Sequence, residues 1–357
     1  MFKTTEFKTE EKYINDFLLL PKILYDKSTL TQNEAEERKI VEETHALNKY
    51  CRQRKILAYD ESEEVCGRCI VTLYDGADTA YIGYFECVEN GECAAELFAK
   101  AHERAKEAGF TKISGPVDTS FWVKYRLKAD GFDRRPYTGE PYNKPYYKKM
   151  FEDNGYRVLE SWVSNIFKKI PLLYNRGTVY KERLKNAEKA NYRIVSPKPG
   201  DFDAALDIIY DLISETFKEF VAFREIGRED FRKIFKNYKY IMDRHFVKIV
   251  YCGDEPVAFS IALPDYGNLL YGKLNAYKKL RIILKKIRSG NYISLYMGVK
   301  KEHRGLGKAL AQTIIKNLYI RRADCIGALI TEGKITEKYG EEQICKKIRY
   351  LLFEREL

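Results

Sequence analysis

Short apolar blocks recur along the first half of the chain. KILAYD at 55–60, VCGRCIVTL at 65–73 and AYIGYFECV at 80–88 are too short for ordinary helices and rich in β-branched and aromatic residues, which predicts three strands. After Asn90-Gly91 the period changes. Leu97, Phe98, Ala101 and Ala105 fall on one face, predicting a helix from Ala94 to Ala108, with Gly109 as the residue that ends it in a left-handed turn. A strand at 110–115 follows, then a long loop through Gly115-Pro116, Gly131-Phe132-Asp133 and Asn143-Lys144-Pro145-Tyr146-Tyr147. A short helix ends at Gly155 and a strand pair spans 156–169. Upstream, KYINDFLLLPKILYDK and the charged stretch from Asn33 to Lys49 read as helices.

The same order then returns. Tyr192–Val195 reads as a strand. Ala205, Ile208, Ile209, Leu212 and Ile213 mark a helix from Phe202, and a second helix covers 229–242. Strands follow at 246–251 and 256–263. Residues 277–288 form a basic amphipathic helix, with Leu280, Ile283, Leu284 and Ile287 on its apolar side; its cations read as a solvated face. A strand at 292–299, a helix at 307–322 with Leu310, Ile314, Ile315 and Leu318 inward, and strands at 325–331 and 347–355 complete the pattern. Mixed strand–helix order of this kind predicts an α/β protein with a mixed (α+β) sheet. Two domains are expected, at 1–170 and 192–357, joined by a charged helical linker at 171–191 without the Gly/Ser content of a flexible tether.

Composition narrows the class. At 45% apolar and 32% charged residues the chain is globular. No apolar run reaches the roughly 18–20 residues of a membrane helix, and the charged N-terminus lacks a signal-peptide core, so the expected location is the cytoplasm. The eight cysteines then read as reduced thiols. Cys66 and Cys69 form a CxxC with no second Cys or His pair beside it, so no metal site is expected. A formal charge of +11 suits an anionic partner without choosing among CoA phosphates, a nucleic acid or a membrane surface.

The segment with chemistry is Met297-Gly298-Val299-Lys300-Lys301-Glu302-His303-Arg304-Gly305-Leu306-Gly307-Lys308-Ala309-Leu310. A strand ends, a basic turn follows, and a helix opens on glycines. The first turn of a helix has N–H groups without intrahelical partners, and with the helix dipole these form an anion site. Gly305 and Gly307 allow close backbone approach, Ala309 is small, and Arg304 adds a fixed charge. The physics is that of a pyrophosphate site.

Arg304-x-x-Gly307-x-Ala309 also resembles the acetyl-CoA signature of the GCN5-related N-acetyltransferase (GNAT) family. The wider chain resembles an uncharacterised bacterial family of tandem GNAT proteins. That resemblance rests on PKILY at 21–25, Gly67-Arg68, Gly83-Tyr84-Phe85-Glu86, Gly115-Pro116, Gly131-Phe132-Asp133 with Pro136, Asn143-x-Pro145-Tyr146-Tyr147, Gly155-Tyr156, Leu263-Pro264-Asp265, the 297–310 block and Arg349-Tyr350-x-x-Phe353-Glu354. It implies two GNAT-like domains and an acetyl-CoA co-substrate held by Met297, Gly298, Val299, Arg304, Gly305, Leu306, Gly307, Lys308 and Ala309. It brings no substrate.

Two departures follow. In the first half, Val88-Glu89-Asn90-Gly91-Glu92 runs almost directly into a helix, too short to wrap a pyrophosphate, so that half is expected to be degenerate. In the second, Tyr339 lies one residue before a glycine, where the family usually leaves a longer gap, so the acid for the departing thiolate is not fixed by the pattern. Amine acylation needs a proton acceptor, N–H donors for the oxyanion and an acid. The donors are expected at Gly298 and Val299; Glu332, Tyr339 and Tyr296 are the candidate catalytic residues, with Tyr271 a further proton carrier. Three classes remain open: an acetyl-CoA-dependent N-acetyltransferase acting on a small-molecule or peptide amine, an aminoacyl-tRNA-dependent transferase, and a non-catalytic module that binds CoA or another ligand. The intact CoA turn argues against nucleic acid as the partner.

Overall fold

The computed structural model describes residues 2–170 and 178–357. The first half runs β1 (Lys3–Phe7), α1 (Glu11–Leu24), α2 (Glu34–Val41), β2 (Arg52–Tyr59), β3 (Val65–Leu73), β4 (Thr79–Cys87), α3 (Gly91–Glu107), β5 (Lys112–Gly115), the short β6 (Val117–Asp118), β7 (Lys124–Tyr125) and β8 (Leu127–Lys128), α4 (Tyr147–Asp153) and β9 (Arg157–Phe167). After α5 (Val179–Lys189) the second half runs β10 (Tyr192–Val195), α6 (Phe202–Thr216), α7 (Arg228–Phe235), β11 (Val247–Cys252), β12 (Glu255–Pro264), α8 (Ala276–Ile287), β13 (Asn291–Val299), α9 (Leu306–Arg321), β14 (Asp324–Thr331) and β15 (Ile344–Glu356). The expected mixed-sheet α/β class is what these elements build.

Local differences from the sequence reading have simple causes. β1 was hidden because only Phe7 of its five residues is buried, so an edge strand looked like a charged N-terminus. The helix expected over 229–242 stops at Phe235 and continues as a 3-10 turn. The strand pair expected over 156–169 is one eleven-residue strand, β9, because its partner comes from elsewhere in the chain. Of the 171–191 linker, 171–177 lies outside the described residues; α5 occupies 179–189.

One sheet spans both halves, in the order β1-β2-β3-β4-β5-β15-β9-β14-β13-β12-β11-β10, with β8 also pairing β15. Its centre is an exchange. β15, the last strand of the second half, pairs antiparallel with β5 of the first (Phe353↔Gly115). β9, the last strand of the first half, pairs antiparallel with β14 of the second (Ile330↔Val163, Thr331↔Trp162). The two exchanged strands pair with each other from Ile344↔Phe167 to Glu354↔Arg157. Cutting between the halves would leave each sheet without its closing strand and expose its edge, so the chain is tested whole.

Both halves carry the same device at their centre. β4 pairs parallel with β5 over only Thr79–Tyr81, and β13 with β14 over only Asn291–Ser294. Beyond those pairs the strands part. Each of β4 and β13 also carries a register shift against its antiparallel neighbour, between Arg68 and Ile70 and between Ile261 and Ala262. Such bulges bend a strand away from its partner.

Candidate active site

The gap between β13 and β14 is the mouth of a cavity of about 1350 Å³. Successive strand residues face opposite sides of the sheet. On one side Phe259, Ile261 and Ile293 pack against Leu206, Ile209 and Ile213 of α6. On the other, Ala258 and Met297, with Val257 at a β-bulge against β11, pack against Leu306, Ala309 and Leu310 of α9. The cavity is lined from both faces, by Ile209 and Ile213 of α6 and by Ala311 and Ile314 of α9, and by the strand residues between them. It is therefore a passage through the sheet.

On the α9 face lies the glycine turn. Gly305 has φ +107°, a left-handed conformation that favours glycine, and immediately precedes α9. Gly307 and Ala309 are buried in the first turn of the helix, whereas Arg304 is exposed. Lys308 is half-buried beside them. A Cβ at Gly307 would stand 2.7 Å from the Tyr339 hydroxyl and 3.6 Å from the Met297 sulfur. Three of the expected residues, Met297, Gly307 and Tyr339, thus meet at one point. Tyr339 packs edge-on against Tyr180 of α5, and burial raises its pKa, keeping the phenol protonated.

The strand ladder decides which backbone groups are free. Lys300 donates its N–H to Val257 O at 3.0 Å, and Val299↔Ala258, Gly298↔Phe259 and Met297↔Ser260 follow in register. Bonding direction alternates along an antiparallel strand. Gly298 therefore turns its N–H toward β12, while Met297 and Val299 turn theirs into the gap. The N–H groups that face the gap are therefore those of Met297 and Val299, where Gly298 and Val299 were expected. Gly298 is needed for a different reason: a Cβ there would lie 2.5 Å from the Phe259 ring and 2.6 Å from Thr216 Oγ1, where α6 crosses the strand.

On the α6 face lies Tyr296, packed edge-on against Phe217, its pKa raised by burial and pulled the other way by Arg126. Glu332 is apart from both groups. Its carboxylate accepts from Ser161 Oγ at 2.6 Å and pairs with Arg349 at 2.8 Å, so it ties β14 to the exchanged strands. Tyr271 packs where the halves meet, its pKa raised by burial. Asp265 joins the halves, accepting from Thr138 N at 3.0 Å and from the Thr138 hydroxyl at 3.2 Å.

Two residues that sequence reasoning missed come from the first half. Arg126 lines the passage, is only 8% exposed, and has φ +95°, a strained value for a residue with a side chain. Its guanidinium stacks 3.7 Å from the Tyr125 ring centre and 4.4 Å from that of Trp162. It donates to the Tyr125 hydroxyl, its Nε makes no hydrogen bond among the described residues, and burial lowers its pKa. Glu160, on β9, lies within electrostatic reach of Arg126 and Lys334; burial raises its pKa and its Oε2 also makes no hydrogen bond among the described residues. Nothing local marked either residue: Arg126 lies between the short strands β7 and β8, and β9, which carries Glu160, comes here only through the strand exchange.

The first half has the matching gap, but it is closed. A Cβ at Gly83 would overlap the Val117 carbonyl at 1.9 Å, so the 117–118 segment fills the space beside β4, and Asp118 accepts from Tyr84 N. The N-terminus of α3 is capped by Asn90, whose side chain accepts from Cys93 N at 3.0 Å. Arg68 and Glu86 occupy the interior, with Arg68 paired to Glu37 at 2.9 Å and Glu86 accepting from Tyr25 and Tyr147, and the half-buried Lys124 pairs with Asp118 at 3.1 Å.

The fold is that of tandem GNAT proteins. A tandem GNAT protein from the clavulanic acid biosynthesis pathway matches over 100% of this chain and 98% of its own, with a TM-score of 0.53 and 12% identity. A protein of unknown function from Enterococcus faecalis V583, described as a probable N-acyltransferase, matches over 100% of this chain and 73% of its own at a TM-score of 0.50 and 12% identity. Among curated proteins, Protein YghO of Escherichia coli (strain K12) is 22% identical over 298 residues, covering 79% of this chain and 75% of YghO. No protein-family model matches the sequence. At these identities the likenesses establish the fold. Among the described residues no group of His, Cys, Asp or Glu is placed to hold a metal ion, and no helix is long and apolar enough to cross a membrane.

Proposed function

We propose that the chain transfers an acyl group from acyl-CoA to an amine, using the passage of the second half. The observation that carries this reading is the juxtaposition of the glycine turn at 305–309 with a gap in the sheet lined by free backbone groups of Met297 and Val299. Pyrophosphate at the first turn of α9 fits the exposed Arg304 and the N–H groups of that turn. The pantetheine arm then pairs with β13 like an added strand, and the thioester carbonyl reaches the gap. Met297 and Val299 offer N–H groups to its oxyanion. The amine enters from the α6 face, where Glu160 takes its proton and Arg126 holds an anionic group on the acceptor. Tyr339, protonated beside Gly307 and Met297, supplies the proton to the departing thiolate. Acetyl-CoA is the donor that the 304–309 motif favours.

Calorimetric titration of CoA into the full chain tests the donor site, and release of free CoA thiol with a panel of amines tests transfer. CoA binding that survives Gly307→Asp, in a variant whose circular dichroism is unchanged, would overturn the reading.

A further inference from the structure

Helix α8 is built inside out for a globular surface. Tyr277, Leu280, Ile283, Leu284 and Ile287 stand at i, i+3, i+6, i+7 and i+10, a single stripe at the helical period. The stripe points to solvent: each of the five is more than half exposed, while Ile282, on the opposite side, is the helix's one buried residue. Exposed Leu274 and Tyr240 extend the patch. Single exposed apolar residues need no explanation, but a contiguous stripe does.

Cations border the stripe on both sides. Lys278 and Lys285 flank one edge, Lys279 and Lys286 the other, with Arg281 and Arg288 between Lys278 and the stripe. Lys278, Lys285 and Lys286 donate to the backbone carbonyls of Tyr271, Asp265 and Lys239, and Arg281 lies 5.6 Å from the Tyr277 ring centre. Among the described residues no carboxylate forms an ion pair with any of the six. Asn275 caps the helix, accepting from Lys278 N at 2.9 Å, so the stripe is presented on a formed helix.

We propose that α8 lies on the surface of an anionic lipid bilayer, its apolar stripe between the headgroups and its exposed cations, Lys279, Arg281 and Arg288, against the lipid phosphates. The pattern meets the physical demands of that interface: a wide apolar arc, a basic border and modest length. The chain's formal charge of +11 acts in the same direction. A second copy of the chain is a poor occupant, because a self-complementary contact through this stripe sets two basic borders against each other. Single-stranded nucleic acid would use the cations but leave the aliphatic stripe in water.

The docked helix has a consequence for the passage. Lys286 and Ile287 of α8 also line the cavity, as do Tyr240 and Met242 beside them. Docking therefore brings one end of the passage to the bilayer, where a substrate bearing an alkyl chain is concentrated. This consequence rests on the passage being the site of transfer; the docking itself does not.

Flotation of the full chain with phosphatidylcholine vesicles, with and without phosphatidylglycerol, tests the docking. Binding is expected to the anionic vesicles alone and to weaken with added salt. The double variant Leu280→Glu, Leu284→Glu should lower it by at least about tenfold, and so should Lys279→Glu with Arg281→Glu. None of these four residues lines the passage; circular dichroism reports whether the variants remain folded, and CoA titration, run separately, keeps failure of docking apart from failure of the acyl-transfer reading. No binding to anionic vesicles, equal binding to neutral ones, or unchanged binding by variants whose circular dichroism is unchanged would overturn the proposal. A dimer that the Leu280→Glu, Leu284→Glu variant dissolves, without vesicle binding, would overturn it in favour of a second copy.

Discussion

The two halves share one plan and differ in what occupies its centre. In each, a bulged strand parts from a parallel neighbour after three or four paired residues. In the first half the gap is filled by Val117 and Asp118, and the following helix is capped by Asn90. In the second the gap opens into a cavity of about 1350 Å³, and the following helix starts on a left-handed glycine with its first turn uncapped by a side chain. The difference is one of steric filling and of who satisfies the helix N-terminus. A helix whose Asn cap takes one of its first N–H groups and covers the end has less to offer a phosphate.

The largest test of this contrast is a pair of matched substitutions. Gly307→Asp should weaken CoA binding by about 3 kcal/mol, since the new side chain meets the Tyr339 hydroxyl and adds a negative charge beside a diphosphate. Gly91→Asp, at the start of α3 with open space around it, should leave the same titration unchanged. Equal losses from the two would erase the distinction between the halves.

A second test asks whether halves so different still unfold together. His102, buried in α3 against Tyr156 at 3.0 Å, has its pKa moved down by burial from 6.5 to about 4. Between those values the unfolded chain binds the proton and the folded one does not. Its contribution is therefore complete above pH 6.5 and is lost as pH falls toward 4, by up to about 3 kcal/mol. Because β9 and β15 are exchanged, urea unfolding should show one transition whose midpoint falls over that window, and His102→Gln should flatten the dependence. Two separated transitions would show that the exchange does not couple the halves.

Smaller effects separate the two helix starts. Arg304→Ala should cost roughly 1–2 kcal/mol of CoA affinity and little stability, because the side chain is exposed. Asn90→Ala should do the reverse, costing about 1 kcal/mol of stability with CoA affinity intact. Titration and urea unfolding on the same two variants check both arms.

The smallest expected change concerns the residue the first half lends to the second. Arg126 has no ion-pair partner among the described residues and a strained backbone. Arg126→Met should leave stability equal or higher by about 1 kcal/mol, since it removes a buried charge while keeping an apolar stem against Trp162, and should raise KM for an anionic acceptor amine with CoA affinity unchanged. A clear loss of stability would make Arg126 a structural residue, held by its two aromatic neighbours.

What the sequence determined by itself was local. Strand and helix periods, the repeat of their order and the turn at 304–309 are all written in neighbouring residues, because backbone conformation and a helix N-terminus depend on the few positions around them. The absence of such a turn at 88–92 was equally legible. Four things were decided only by the tertiary structure. The exchange of β9 and β15 depends on pairing between strands nearly two hundred residues apart, and pairing partners leave no trace in period. Glu160 comes within reach of Arg126 and Lys334 only through that exchange, Arg126 enters the passage from between β7 and β8, and Met297 rather than Gly298 turns its N–H into the gap only through the register with β12. The apolar side of α8 was visible in the sequence, but its direction was not: a stripe of Leu and Ile reads the same facing a core or facing out, and only the packing of Ile282 against the protein turned it toward solvent.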